Sequence, residues 1–170
     1  TVLAENNDDI NRLVDLSAYT ASENAADLIG AVADNGSFLE LYSAYGKEIM
    51  TGLMTLGGTV VGIIASQKCK NGGILTAHAA RKASRMLTFC DSFHIPVVTV
   101  LNSKGPDVSL EAESSTYASE LAKLAFAYSS AKTPLITVIA GEAYGAVFSL
   151  MGAKALGADV VFALETAKVG

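Results

Sequence analysis

The stretch that decides the fold is residues 141–149, which read GEAYGAVFS. It follows a short apolar block, residues 134–139, whose β-branched side chains are typical of a buried strand. It precedes residues 150–156, where Ala, Met, Leu and Lys favour a helix. The stretch is therefore predicted to be a strand-to-helix turn, with small residues where the helix begins.

Such a turn places backbone N–H donors where a ligand can reach them. The first N–H groups of a helix have no partner within it, and the small side chains of Gly145 and Ala146 let another molecule approach. Donors in this arrangement can form an oxyanion hole, which stabilises negative charge on a substrate oxygen. Alternatively, Gly145 and Ala146 only let the helix pack closely against the sheet, and the spacing alone leaves both readings open.

Strands and helices alternate along most of the chain, which predicts an α/β fold. Predicted strands lie at residues 38–42, 48–56, 59–66, 96–101 and 135–139, and predicted helices at 22–34, 77–93 and 115–131. Gly57 and Gly58 predict a hairpin between the second and third strands. Residues 102–113 are expected to form a loop. We expect one domain over residues 21–170, after an irregular polar leader at residues 1–20.

The composition narrows the class of protein. The net charge of −5 argues against broad nucleic-acid binding, and no apolar run is long enough to cross a bilayer. Cys69 and Cys90 lack a metal-ligand pattern, and His78 and His94 have no partner at metal spacing. We therefore expect a soluble protein of the cytoplasm with reduced thiols and no metal site.

Three blocks of the sequence carry a resemblance to a known family. They are residues 35–40 with 51–53, residues 81–86 with 89–96, and residues 143–146 with Met151 and residues 154–159. In this order and spacing, they resemble the carboxyltransferase subunits of biotin-dependent acyl-CoA carboxylases and decarboxylases, of the propionyl-CoA carboxylase or methylmalonyl-CoA decarboxylase type. The resemblance covers nearly the whole chain and implies the C-terminal of the family's two halves. Each half has a crotonase-like α/β fold, a spiral of strand–strand–helix units.

The resemblance implies carboxyl transfer between carboxybiotin and the α-carbon of a short acyl-CoA of the propionyl, methylmalonyl or acetyl class. The C-terminal half then carries the biotin-side oxyanion hole, at Gly145, Ala146 and Val147. Tyr144 and Ser149 are candidates for contacts with the substrate. In the crotonase superfamily, a loop at the position of residues 72–73 supplies the other oxyanion-hole N–H.

The loop that contains Gly72 and Gly73 can equally be an ordinary loop with two turn glycines. Arg81 and Arg85, on the following helix, share one face with i, i+4 spacing. A solvated face paired with acidic residues such as Asp91 is the simplest interpretation, although a local basic site for the phosphates of coenzyme A stays open.

Ser149 stands where hydratases of the crotonase superfamily carry a catalytic glutamate. A serine hydroxyl without a base is a poor proton carrier near neutral pH, and neither histidine lies in a recognisable nucleophile motif. A site with prepared N–H donors but no side-chain acid or base suits a reaction whose substrates carry their own base. Carboxyl transfer from biotin is such a reaction.

The resemblance implies biotin on a carrier protein or domain and a coenzyme A thioester as substrate. It also implies an N-terminal carboxyltransferase half, biotin carboxylase or membrane decarboxylase subunits, and a homo-oligomer, so this chain alone is expected to be incomplete. Two alternatives stay open: a non-catalytic assembly module with the same fold, and a stand-alone crotonase-type acyl-CoA isomerase or hydrolase.

The chain departs from the family pattern at three places. Val147 replaces a second small residue and is expected to narrow the approach to the turn. The other two departures are residues 102–107 (NSKGPD) in place of the family's Asp-x-Pro-Gly segment, and residues 164–165 (LE) in place of Trp-Pro. The loop at residues 102–107 normally helps to shape the biotin pocket.

Overall fold

A computed structural model describes residues 9, 11, 13–114 and 116–170 of the chain. Half of the predicted leader lies outside these residues. Its last part does not have the irregular structure expected for residues 1–20, because a helix, α1 (Ser17–Ser22), begins within it. Tyr19 of this helix is only 4% exposed, so apolar burial fixes the helix against the rest of the molecule.

The described residues form a mixed sheet with helices on both faces. Its strands are β1 (Leu39–Leu41), β2 (Ile49–Leu56), β3 (Thr59–Ser66), β4 (Val97–Ser103), β5 (Leu135–Ala143), β6 (Val160–Ala163) and β7 (Lys168–Val169). Strands β1 to β6 are neighbours in sequence order, and β7 pairs with the last residues of β5. The pairs β1–β2 and β2–β3 are antiparallel, and all the later pairs are parallel.

The predicted hairpin between β2 and β3 is confirmed. Gly57 and Gly58 both have positive φ angles, 56° and 77°, which glycine adopts without steric cost. The carboxylate of Asp34 accepts hydrogen bonds from both of their N–H groups, at 2.9 and 2.8 Å. The turn is therefore set locally and also fixed to the segment before β1.

The helices connect the strands and cover the sheet. They are α2 (Ala25–Val32), α3 (Ala77–Ser92), α4 (Leu110–Ser114) and α5 (Tyr117–Ser130). The two long predicted helices are confirmed as α3 and α5, and Asn24 caps α2 by accepting the N–H of Ala26. The prediction of a plain loop over residues 102–113 is wrong at both ends, because β4 continues to Ser103 and α4 begins at Leu110. Within the described ranges, no helix has both the length and the apolar character needed to span a bilayer.

Two apolar clusters pack on opposite faces of the sheet. Side chains of a strand alternate between faces, so on β3 Ile64 joins one cluster and Ile63 the other. Helices α3 and α5 cover the first cluster, which contains Leu87 and Leu124. Helices α1 and α2 cover the second, which contains Ile29. Burial on both faces explains why the central strands are mainly apolar.

Candidate functional site

Three connections meet at the carboxyl ends of β3, β4 and β5, where ligands bind in many α/β proteins. They are residues 67–76, residues 104–109 and residues 144–147, which we call the first, second and third connections. Lys104 N–H donates to the Gly72 carbonyl at 3.1 Å, and Leu75 N–H donates to the Gly105 carbonyl at 3.0 Å. The first and second connections are therefore hydrogen-bonded to each other.

The third connection lies against the second. A Cβ atom placed on Gly145 would be 3.6 Å from Cδ of Pro106, and one placed on Gly105 would be 3.7 Å from the Tyr144 carbonyl oxygen. The two glycine-containing stretches predicted from the sequence, at residues 72–73 and 144–147, therefore lie on opposite sides of the second connection. That loop contains residues 104–107 of the segment, residues 102–107, that departs from the family pattern, and the first two residues of the segment end β4.

Strand β5 is longer than predicted, and it ends only at Ala143. The turn itself is therefore confined to Tyr144 and Gly145. Gly145 has a φ of 56°, a left-handed conformation that favours glycine. Its N–H donates to the carbonyl of Gly170 at 2.7 Å. Of the three residues expected to supply donors, Gly145 thus shapes the turn, and its own N–H is already used.

Ala146 and Val147 present backbone donors without a partner. In the part of the chain that the structure describes, no acceptor is hydrogen-bonded to either N–H, and no side chain caps the helical segment. The next N–H in the series with a partner is that of Ser149, which donates to the Gly145 carbonyl at 3.1 Å. Two adjacent donors are thus available beside a turn of small residues.

The side chain of Val147 does not narrow the approach to these donors, and that expectation is wrong. Val147 is 1% exposed and belongs to the core cluster under α3 and α5. Its methyl groups are therefore packed in the protein interior, whereas Ala146 is half-buried and Gly145 is exposed. The surface beside the donors is formed by small residues.

The helix predicted over residues 150–156 is replaced by shorter pieces. A helical segment starts at Ala146 and ends at Gly152, with Phe148–Gly152 in π-helical form, and a 3₁₀ turn follows at Lys154–Leu156. The Thr137 hydroxyl donates to the Met151 carbonyl at 3.1 Å, which holds the end of the segment against β5. Because this segment is short, its helix dipole is small. A ligand would therefore be bound by the individual N–H groups.

Gly72 and Gly73 form part of a 3₁₀ turn, Asn71–Gly73, with positive φ angles of 66° and 64°. Gly73 is buried, and its N–H donates to the Lys70 carbonyl at 2.8 Å, so this donor is used within the turn. A Cβ atom at Gly72 would lie 2.8 Å from Cδ of Lys104. Glycine at position 72 therefore permits close contact between the first and second connections.

The remaining candidates lie beside the turn. Ser149 is exposed, and its hydroxyl donates to the Gly145 carbonyl at 3.1 Å. Tyr144 is half-buried, and its ring is close to Gly170. The Ser149 hydroxyl bonds to a carbonyl of the turn and does not accept the N–H of Ala146 or Val147.

A polar cluster next to β5 was not predicted from the sequence. The side-chain oxygen of Asn102 accepts the N–H of Glu142 at 3.1 Å, and its amide nitrogen donates to the Tyr19 hydroxyl at 2.9 Å. Lys68 is ion-paired with Glu23 at 2.7 Å and with Glu142 at 3.3 Å. The hydrogen bond to Glu23 is the main cause that raises the pKa of Lys68, and burial raises the pKa of Tyr19.

This cluster surrounds a small cavity of about 150 Å³ and fixes the end of β5 just before the turn. A Cβ atom at Gly141 would clash with Oδ1 of the Asn102 side chain and lie 2.6 Å from its Cγ, so glycine is required there. Tyr19 and Asn102 are 83 positions apart, and no local pattern in the sequence indicates that they meet.

Comparisons with known proteins agree with one another. The carboxyl transferase domain family matches residues 4–170. A propionyl-CoA carboxylase beta chain of Bacillus subtilis, assigned as putative, is 39% identical over 160 residues, which are 94% of this chain and 31% of that protein. The biotin-dependent acetyl-/propionyl-coenzyme A carboxylase beta5 subunit of Mycobacterium leprae is 36% identical over 143 residues, 84% of this chain and 26% of that protein.

A solved structure matches almost the whole chain. Transcarboxylase 12S, described as a hexamer with hydrolysed methylmalonyl-coenzyme A bound, superposes with a TM-score of 0.84. The sequences are 31% identical, and the match covers 98% of this chain and 34% of that one. The chain therefore spans about a third or less of the length of each of these similar proteins.

Proposed function

Because the chain belongs to the carboxyl transferase domain family and has its crotonase-like α/β fold, we propose that it takes part in carboxyl transfer between carboxybiotin and the α-carbon of a short acyl-CoA. Relatives named for propionyl-CoA and acetyl-CoA carboxylation, and a similar structure described with hydrolysed methylmalonyl-coenzyme A bound, support substrates of this class. The chain corresponds to only part of such proteins, so the activity belongs to a larger enzyme.

The pair of unpartnered N–H groups at Ala146 and Val147 carries this proposal. Biotin supplies a ureido nitrogen that carries the carboxyl group and, once that group has left, takes the proton from the acyl-CoA α-carbon. The two N–H groups would donate to the ureido oxygen, where negative charge develops as the nitrogen–carbon bond breaks. Each donor of this kind is worth up to about 3–4 kcal/mol in a site that excludes water.

The residues around the donors fit this role. Gly145 holds the turn open through its left-handed conformation, and the inward-facing Val147 side chain anchors the donors to the core. Ser149 lies one helical turn beyond Gly145, where its exposed side chain would contact the ligand and influence which acyl group fits. Tyr144 would flank the same ligand. Gly72, in contact with the second connection, would form the opposite wall.

We further infer that other parts of the enzyme complete the site. An N-terminal carboxyltransferase half would hold the acyl-CoA thioester, and a biotinyl carrier domain would deliver biotin from a biotin carboxylase or to a membrane decarboxylase subunit. The hexamer described for transcarboxylase 12S supports a homo-oligomer. Holding the two substrates together supplies much of the rate enhancement in such an enzyme.

Replacing Ala146 by proline in the full-length enzyme tests the proposal. Proline removes one N–H, and it is tolerated in the first turn of a helix, so the fold can survive. We expect kcat for carboxyl transfer to fall by about 10²–10³, with little change in melting temperature.

Ala146→Gly is the matched control, because it keeps the N–H and removes only a methyl group; its kcat should stay within a few-fold of the original. If the folded Ala146→Pro enzyme keeps near-full activity, the turn is a packing feature and the catalytic assignment is wrong. Avidin added to the unmodified enzyme should abolish activity, and activity that persists would indicate a biotin-independent crotonase-type reaction.

A further inference from the structure

A second cavity, of about 240 Å³, lies between α3 and the segment that joins β1 to β2. Its lining residues are Tyr42, Tyr45, Arg81, Lys82 and Arg85. None of them belongs to the three connections that form the candidate site. The lining combines three cationic side chains with two phenol groups, and none of the described residues contributes a carboxylate to it.

Lys82 contributes a buried ammonium group without a carboxylate partner. The residue is 2% exposed, and its Nζ donates to the carbonyls of Ile49 at 2.7 Å and Gly46 at 3.5 Å. Among the described residues, no carboxylate is ion-paired with it. Burial lowers the pKa of Lys82, and only the more distant charges of Glu40 and Glu48 act in the opposite direction. A buried cation of this kind is costly unless an anion accompanies it.

Arg85 adds a second cation that lacks a counter-ion. Its guanidinium lies over the ring of Tyr42, with Cζ 5.7 Å from the ring centroid, and this contact holds the group at the cavity. Within residues 13–114 and 116–170, no carboxylate forms an ion pair with Arg85. The interpretation of this helix face as solvated and paired with acidic residues fits Arg81, which pairs with Glu120, whereas Arg85 is solvated with no such pair among the described residues.

Arg81 is the one lining cation that does have a carboxylate. Its guanidinium donates to Glu120 at 2.9 Å, but the same oxygen of Glu120 also accepts from Lys123 at 2.9 Å. The carboxylate of Glu120 is thus shared by two cations, and Glu120 itself does not line the cavity. Tyr45, on the other wall, has its hydroxyl 2.9 Å from Nδ1 of His78, which fixes the orientation of that ring.

We propose that this cavity binds a phosphate group, either free or carried by a small ester. Phosphate oxygens accept hydrogen bonds, and the guanidinium fork of Arg85 with the ammonium of Lys82 and the hydroxyl of Tyr42 presents donors of the kind that they require. The cavity has room for about eight waters at ~30 Å³ each. Pockets for drug-sized ligands start at about 300 Å³, so the volume fits the phosphate end of a ligand better than a whole nucleotide.

Calorimetric titration of the full-length protein with inorganic phosphate and with glycerol 3-phosphate tests this site. We expect one saturable site per chain, with affinity that falls at least tenfold in Arg85→Gln. Lys132→Gln removes one positive charge from an exposed lysine outside the cavity, and it should change the affinity less than twofold.

Absence of saturable binding for both ligands, or an equal loss in Arg85→Gln and Lys132→Gln, would overturn the proposal. Comparable affinities for the two ligands would identify free phosphate as sufficient, and binding of the ester alone would identify an esterified ligand. Arg85 is exposed, so the variant should keep the melting temperature of the original protein. If it does not, Tyr42→Leu, which removes the ring under the guanidinium, should show the same tenfold loss.

Discussion

Two strand-to-helix connections in this molecule begin their helices differently. After β3, Thr76 caps α3, because its Oγ1 accepts the N–H of Ala79 at 3.1 Å, and the helix continues for 16 residues. After β5, the helical segment that begins at Ala146 has no side-chain cap and ends at Gly152. Both connections lie at the same edge of the sheet.

The difference separates a structural helix start from one that is free to bind. At Thr76 a side chain of the protein satisfies one of the first N–H groups of α3, that of Ala79, so this helix start is capped. At Ala146, by contrast, the N–H groups of Ala146 and Val147 have no acceptor among the described residues. The Ser149 hydroxyl is close to this turn, but it donates to the Gly145 carbonyl and accepts neither N–H. An N–H group that has no partner and is flanked by small residues can donate a hydrogen bond to a ligand oxygen.

The largest expected effect is the loss of kcat by about 10²–10³ in Ala146→Pro, which acts on the uncapped start. It is expected without a matching loss of stability. Loss of the Thr76 side-chain oxygen at the capped start is expected to lower stability and leave kcat unchanged, so loss of a hydrogen-bonding group should have opposite consequences at the two helix starts.

Val147→Ala sharpens the comparison at the uncapped start. The change removes two buried methyl groups from the core, so we expect the free energy of unfolding to fall by about 2 kcal/mol. The backbone N–H remains, so kcat at a temperature where the variant is folded should stay within about twofold. Denaturant titration and a transfer assay on the same sample check both quantities. A large loss of kcat in the folded variant would mean that the side chain itself contacts the substrate.

Thr76→Ala acts on the capped start. Loss of a cap costs typically about 1 kcal/mol, and we expect this destabilisation with kcat unchanged. Thr76→Ser keeps a hydroxyl that can accept the Ala79 N–H, and it should recover most of the stability in urea unfolding. If alanine and serine are equally destabilising, the cap contributes nothing and the comparison of the two helix starts fails.

The smallest effect concerns the ion pairs between α3 and α5. The hydrogen bond from Arg81, with a second from Lys123, lowers the pKa of Glu120 from 4.5 to about 2. Since the ionised form is favoured in the folded state, its contribution is complete above pH 4.5 and is lost as the pH falls towards 2. Arg81 and Lys123 are solvent-exposed, so we expect less than about 1 kcal/mol.

Glu120→Gln provides the control for this pH dependence, because it cannot ionise. Its free energy of unfolding should lie below that of the original protein at pH 7, and the difference should shrink as the pH falls from 4.5 to 2. A difference that stays constant over this range would show that ionisation of Glu120 does not stabilise the α3–α5 contact.

The sequence by itself determined the features that depend on neighbours along the chain. Adjacent glycines with positive φ fix the hairpin at Gly57, and long runs with suitable propensity fix α3 and α5. Three motif blocks in order also identified the family, and the turn at residues 144–147 was found from its small residues alone. These signals are local, so no tertiary contact is needed to detect them.

Tertiary structure alone decided which donors at the turn are available. The Gly145 N–H is used by Gly170, which is 25 positions away, and the buried core decides that Val147 faces inward. The hydrogen bond from Thr137 to Met151 fixes the end of the helical segment, where propensity favoured a longer helix. Likewise, only the fold places Glu120 of α5 beside Arg81 and leaves Arg85 without an ion pair among the described residues. Each of these facts depends on atoms distant in sequence, and burial and hydrogen bonding between such atoms arise only when the chain has folded.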